Sequence, residues 1–199
     1  MPHISTGADA STADGIDGAP SDGDPPISID IDVVQEAGDW DQVAGAEGLV
    51  RSAVGALVGK LAVTNAEVCV ALSSDQQVAE LNASYRGKAS PTNVLSFPAV
   101  PMLPVEGEPR FLGDIVLAIE TLQREAADLG IPVAHHMQHL VVHGMLHLLG
   151  YDHETEDEAQ EMESLEVRIL ARIGIADPYA GAGEPINARK SDSEPDSHE

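Results

Sequence analysis

His143-Gly144-Met145-Leu146-His147-Leu148-Leu149-Gly150-Tyr151-Asp152-His153 is the segment on which the reading of this chain turns. Residues four apart share one face of an α-helix, so His143 and His147 can offer imidazole nitrogens to a single ion at about 2.0–2.1 Å. Gly150 is suited to end that helix, because glycine takes the left-handed conformation that turns a chain back, and His153 can then return as a third ligand. Three protein ligands leave one position of a tetrahedral zinc ion open. That is the arrangement of a catalytic site, since a structural site would supply a fourth ligand and exclude water.

The offsets match the long zinc-protease signature H-E-x-x-H-x-x-G-x-x-H in its histidines and its glycine, with Gly144 in place of the glutamate. Without that carboxylate no obvious group accepts a proton from water attacking an amide. Peptide hydrolysis is therefore disfavoured.

The same segment meets every fixed position of H-G-x-L-H-L-x-G-Y-D-H, and here the chain resembles the YbeY endoribonucleases, bacterial zinc-dependent enzymes associated with ribosomal RNA processing. Leu81-Asn82 with Tyr85-Arg86 is similar to the family's L-N-x-x-Y-R. Pro91-Thr92-Asn93-Val94-Leu95-Ser96-Phe97-Pro98 resembles its T-D-V-L-S-F-P, with Asn93 where aspartate is common, and Leu112-Gly113-Asp114-Ile115 resembles its L-G-D-I. These blocks run in family order from Leu81 to His153, within a looser match from about Ile27 to Gly174.

Composition sets outer limits without that resemblance. A chain of 199 residues suits one domain with one core. Residues 1–26 are rich in Gly, Ala, Ser, Asp and Pro and lack Lys, Arg and any apolar run, so neither a signal peptide nor a strand is expected there. This acidic segment and the similar tail 176–199 are expected to be disordered, leaving 27–175 as the folded domain. Cys69 is the only cysteine, which excludes an intramolecular disulfide and fits a reducing cytosol. No apolar stretch is long enough to cross a bilayer, so a soluble, cytoplasmic protein with no membrane partner is expected. Nothing in the chain specifies an oligomeric state.

Between the tails, Ile27 to Val33 alternates apolar and polar residues as a half-buried strand does, and Leu49 to Leu61 has helical apolar spacing. Glu67 to Leu72 reads as a second strand, and Ser74 followed by Gln77 reads as the cap of a helix to about Tyr85. Val94 to Phe97 and Ile115 to Ala118 read as strands separated by a loop containing Pro98, Pro101, Pro104 and Pro109. Helices are expected over Glu120 to Leu129, closed by Gly130, over Ala134 to Leu149, and over Thr155 to Ile173. The order β-α-β-α-β-β-α-α-α predicts an α+β domain, a small mixed sheet covered by helices, with a zincin-like ligand helix.

The metal set is His143, His147 and His153, holding one zinc ion per chain. His136 and His139 lie near the same helical face and are placed outside the ligand set, because adding His139 would close the open position. Asp152 can orient an imidazole or accept bonds from backbone amides; Asp114 can support the site from a strand end or cap a turn. By residue type alone Arg86 is a surface arginine at a helix end, with Lys88 a solvated neighbour. The resemblance implies instead that Arg86 is a catalytic cation, pairing its guanidinium with phosphoryl oxygens. The acidic run from Glu154 to Glu166 could supply a proton acceptor or hold a second metal, but reads better as helix N-terminal charge followed by a solvated face, with Met162, Leu165 and Ile169 in the core.

Charge fits a nuclease least well. Residues 1–26 carry −5 and 176–199 a net −4, leaving −15 of the total −24 on the domain, so no broad basic groove is available for RNA. Either the metal and Arg86 make a small positive patch, or a ribosomal partner delivers the RNA. What the resemblance implies is a single-strand-specific endoribonuclease of ribosomal RNA maturation, notably at the small-subunit 3′ end, and of ribosome quality control, with ribosomal RNA and the ribosome or its proteins as partners. The competing readings are a noncatalytic ribosome-assembly factor with structural zinc and a zinc hydrolase of a small ester or amide.

Overall fold

In the computed structural model of the chain, which describes residues 29–100, 105 and 107–180, the alternating segment Ile29–Gln35 forms strand β1. The segment 1–26, Pro101, Pro104 and the tail beyond residue 180 lie outside the described residues. A short 3-10 turn over Trp40–Gln42 leads to α1 (Ala46–Leu61), β2 (Ala66–Ser73), α2 (Asp75–Arg86), β3 (Val94–Pro98) and β4 (Arg110–Ala118). Then come α3 (Ile119–Leu129), α4 (Val133–Leu148) and α5 (Glu156–Ala171). The sheet runs β1-β2-β4-β3, with β1, β2 and β4 parallel and β3 antiparallel at the edge. This is a mixed α+β fold in the element order that the sequence predicts.

Most boundaries shift by a residue or two, and three differences from expectation have a local cause. Strand β4 begins at Arg110, not Ile115, because a bulge at Leu112-Gly113 interrupts the alternation while pairing with β2 continues on both sides of it. Pro98 belongs to β3 and not to the loop: it ends an edge strand, where a missing N–H is tolerated. Helix α1 starts at Ala46, three residues before Leu49, after Gly45 has taken a left-handed turn at φ 70°.

Helices α1, α4 and α5 cover one face of the sheet and share the main core, which includes Val50, Leu57, Leu117, Val141, Met145 and Ile169. Helix α2 covers part of the other face over Val78, Leu95 and Val116. Being packed against α1, α3, α5, β3 and β4, α4 is apolar nearly all round and leaves only a stripe of histidines for chemistry. None of the described helices is long and apolar enough to cross a membrane. Helices α2 and α3 cap each other: Asp75 Oδ1 accepts from the Thr121 N–H at 2.9 Å, and Glu120 Oε2 accepts from the Asp75 N–H at 2.7 Å. That reciprocal bond fixes where both helices start beside the sheet.

Gly144 stands where α4 meets the sheet, and a Cβ there would lie 3.1 Å from both Ile115 Cγ2 and Ser96 Oγ. The position that holds a glutamate in zinc proteases therefore faces packed β3 and β4, with no room for a carboxylate. Gly113 is tighter still: its φ is 134°, and a Cβ would lie 2.2 Å from the Phe97 carbonyl oxygen. Gly113→Ala must part β3 from β4, and we expect it to lower stability by about 2 kcal/mol or more in denaturant unfolding. An unchanged midpoint would show that the edge strand shifts freely.

Candidate metal centre

Helix α4 ends in two bonds that reverse the chain. Gly150, at φ 91°, donates from its N–H to the His147 carbonyl, and Tyr151 donates to that of Leu146, each at 3.0 Å. Tyr151-Asp152-His153 is thereby carried back along the helix end. His143, His147 and His153 come together with one nitrogen of each within 4.8 Å of the others. The Nε2 atoms of His143 and His147 are 3.1 Å apart. Tetrahedral zinc bound at about 2.05 Å requires nitrogens roughly 3.4 Å apart, so small side-chain rotations bring the set to that spacing.

The hydrogen bonds on the far side of each ring decide which nitrogen is bare. His143 Nδ1 donates to Glu166 Oε1 at 2.8 Å, and His147 Nδ1 donates to the Tyr151 carbonyl at 3.1 Å. Neither acceptor carries a hydrogen, which assigns the proton of each neutral ring to Nδ1 and leaves Nε2 a bare lone pair. Two lone pairs facing each other at 3.1 Å repel unless a cation lies between them. Burial, then the neighbouring His143 and His153, push the His147 pKa down and favour the neutral ring that a metal requires. No fourth His, Cys, Asp or Glu among the described residues joins the cluster. The donor set fits one divalent ion with an open position.

Glu166 is the residue that sequence reasoning missed. Expected on a solvated face, it is fully buried, with Oε2 accepting from His139 Nε2 at 2.8 Å and Oε1 from His143. The Tyr179 hydroxyl also donates to it. Burial alone would raise the Glu166 pKa, but the bonds from His139, His143 and Tyr179 outweigh it and hold the carboxyl at about 2. Burial, followed by the same contact, pushes the Tyr179 phenol well above its ordinary value. A signal was present, since Met162, Leu165, Glu166 and Ile169 form one buried helical stripe. Tyr179 lies four residues past the expected domain boundary.

A family model described as Endoribonuclease YbeY matches residues 34–174. The chain belongs to the YbeY endoribonuclease family. A Rhodopseudomonas palustris member named Endoribonuclease YbeY is 53% identical over 75% of this chain and 80% of its own. A Rhodospirillum rubrum namesake is 50% identical over 81% and 86% of the two chains, and one from Sinorhizobium medicae 46% over 76% and 95%. The solution structure of TM1509 from Thermotoga maritima aligns at a TM-score of 0.47 and 21% identity, covering 80% of this chain and 99% of that one.

His139 stands beside the cluster and reaches it through Glu166. Asp152 accepts from the His153 N–H at 2.8 Å and lies 4.0 Å from His147 Nδ1, so its bond is to backbone and the Tyr151 carbonyl orients that imidazole. Asp114 sits within β4, and its neighbour Ile115 faces α4, so Asp114 points to the opposite face. There it neither supports the histidines nor caps a turn. It stands opposite Cys69 across the β2–β4 pair, and burial followed by that carboxylate pushes the thiol pKa up. Asn93 donates to Glu125 at 2.8 Å, and Glu125 also holds His136 at 2.9 Å, a second carboxylate bracing α4. Arg86 is exposed in the last turn of α2 and makes no hydrogen bond or ion pair with described residues.

The carboxylate that orients a metal-facing imidazole commonly governs affinity by ten- to a hundredfold. Glu166→Gln is expected to weaken zinc binding by about that factor in competition with a chromogenic chelator, with helix content retained. Ending the chain at Ile175 removes Tyr179 and is expected to weaken binding in the same direction, whereas ending it at Ala180 is not. Equal affinity in all three would contradict the orienting role.

Proposed function

We propose that this protein is a zinc-dependent endoribonuclease that cuts single-stranded RNA, with His143, His147 and His153 as the ligands of one zinc ion per chain and Arg86 as the catalytic cation. The observation that carries this reading is the pair of Nε2 atoms 3.1 Å apart, each on a ring whose Nδ1 faces an acceptor oxygen. Three neutral imidazoles suit zinc over the hard, oxygen-seeking cations. When bound, zinc would supply a Lewis acid for a phosphoryl oxygen or for water.

The protein's own residues do the rest. Glu166 and the Tyr151 carbonyl hold the two helix imidazoles in register, and the turn at Gly150 brings His153 to the third position. Arg86, exposed and unpaired among the described residues, is free to place its planar fork on two phosphoryl oxygens as charge builds on them. Packing at Gly144 leaves no carboxylate beside the first ligand, which weighs against amide hydrolysis. The lack of a fourth ligand among the described residues weighs against a purely structural zinc.

The biological setting we propose is ribosomal RNA maturation, notably of the small-subunit 3′ end, and ribosome quality control in the cytoplasm. With −15 on residues 27–175, the protein relies on the ribosome or its proteins to bring RNA to it. We place the acting domain at 27–180, so that it includes Tyr179.

Equimolar zinc is expected in the purified protein and is expected to be lost from His147→Ala together with cleavage of a short single-stranded RNA. Arg86→Ala is expected to keep zinc and fold but to slow single-turnover cleavage on the order of a hundredfold, and Arg86→Lys to recover little of it. Unchanged cleavage in Arg86→Ala would remove the arginine from the mechanism. Cleavage at full rate without zinc would remove the metal.

A further inference from the structure

We infer that Tyr85, resting on Phe97, is a stacking platform for one base of the single-stranded RNA, and that Lys88 holds a phosphate beside it. This rests on the nuclease reading above and adds to it how an acidic protein holds its substrate. Tyr85 is 71% exposed, the most exposed aromatic ring of the described residues, in a chain with six aromatic side chains in all. Its ring leans on Phe97 with centroids 4.9 Å apart at 57°, so Phe97 supports it from beneath while the rest of the ring meets solvent. A braced, solvent-facing ring loses little freedom when a base stacks on it.

The stretch of chain that carries this ring differs in charge from the rest of the sequence, and the acid beside it is Asp114 of β4, paired across from Phe97. The chain has 34 Asp and Glu, yet Leu81 to Val105 contains none; the next-longest such stretch runs from Leu129 to Tyr151 and includes α4 with His143 and His147. These two stretches meet in space, since Ser96 of β3 packs at Gly144 of α4. Adjacent residues of one edge strand therefore face the two places: Ser96 the metal helix, Phe97 the Tyr85 ring. Arg86 and Lys88 follow Tyr85 in the chain and form no ion pair with described residues, whereas Arg51 and Arg124 are paired to acids.

The helix end and loop that carry these cations are pinned. Gly87, left-handed at φ 68°, closes α2, and the buried Asn82 side chain donates to the Ser90 carbonyl at 2.8 Å. Asn82, Tyr85 and Arg86 of the L-N-x-x-Y-R block thus share one purpose: Asn82 fixes the loop after α2, and the other two face solvent from the last turn of the helix. A chain segment with no acid of its own, carrying two cations and a braced aromatic ring and packed through Ser96 on the histidine helix, fits single-stranded RNA, whose unpaired bases offer π faces.

The test uses the zinc-loaded full-length protein, a short unstructured RNA, and an abasic sugar-phosphate oligomer of equal length. Tyr85→Ala is expected to raise KM and Kd for the RNA about tenfold with kcat little changed, Tyr85→Phe to stay near wild type, and the abasic oligomer to bind both variants equally. Tyr85→Leu keeps the packing on Phe97 without a π face, and its expected loss matches that of Tyr85→Ala. Lys88→Ala is expected to flatten the slope of log affinity against log salt by about 0.7. Wild-type cleavage with unchanged KM in Tyr85→Ala and Tyr85→Leu would overturn the platform alone, assigning the ring to a protein contact or to packing. An equal loss for the abasic oligomer would overturn it as well. Absence of both RNA binding and cleavage in the wild type would overturn the nuclease reading, and the platform with it.

Discussion

The bond from His143 Nδ1 to the buried Glu166 carboxylate sets the rest of the site. A carboxylate removed from water is costly unless its oxygens are bonded, and here three donors from two other segments satisfy it: His139, His143 and Tyr179. The carboxylate therefore ties α4 to α5 and to the segment after α5 at a single point. It also chooses the tautomer of His143, and with it the direction of the bare nitrogen. Chemistry on one helix is made possible by a side chain on the next.

Close approach is the second constraint. Gly144 lets α4 lie against Ile115 and Ser96, and Gly113 lets β4 pass under the Phe97 carbonyl. Together they seat the histidine stripe beside the edge strand β3, where backbone and side chains border solvent. The residue that would serve a protease at position 144 is excluded by the same packing. A substrate that needs no protein carboxylate beside the first ligand is what the geometry accommodates.

Much of this was legible in the chain. The offsets of His143, His147, Gly150 and His153 describe a helix, its end and a return, because helical pitch and the conformational freedom of glycine are local properties. Element order was legible for the same reason. What failed to show was non-local: the start of β4 hidden by a bulge at Gly113, the outward turn of Asp114, and the burial of Glu166 within an acidic run. Glu166 looked like surface because its six acidic companions do face solvent; only its stripe with Met162, Leu165 and Ile169 set it apart. Tyr179 was read with the tail because composition carries no record of a single contact made across space.

Zinc-edge X-ray absorption of the loaded protein tests the central claim most directly. The account predicts a shell of three imidazole nitrogens and one further light atom supplied by solvent, unchanged in Cys69→Ser and reduced by one imidazole in His153→Ala. Four protein donors, or a sulfur in the shell, would contradict it.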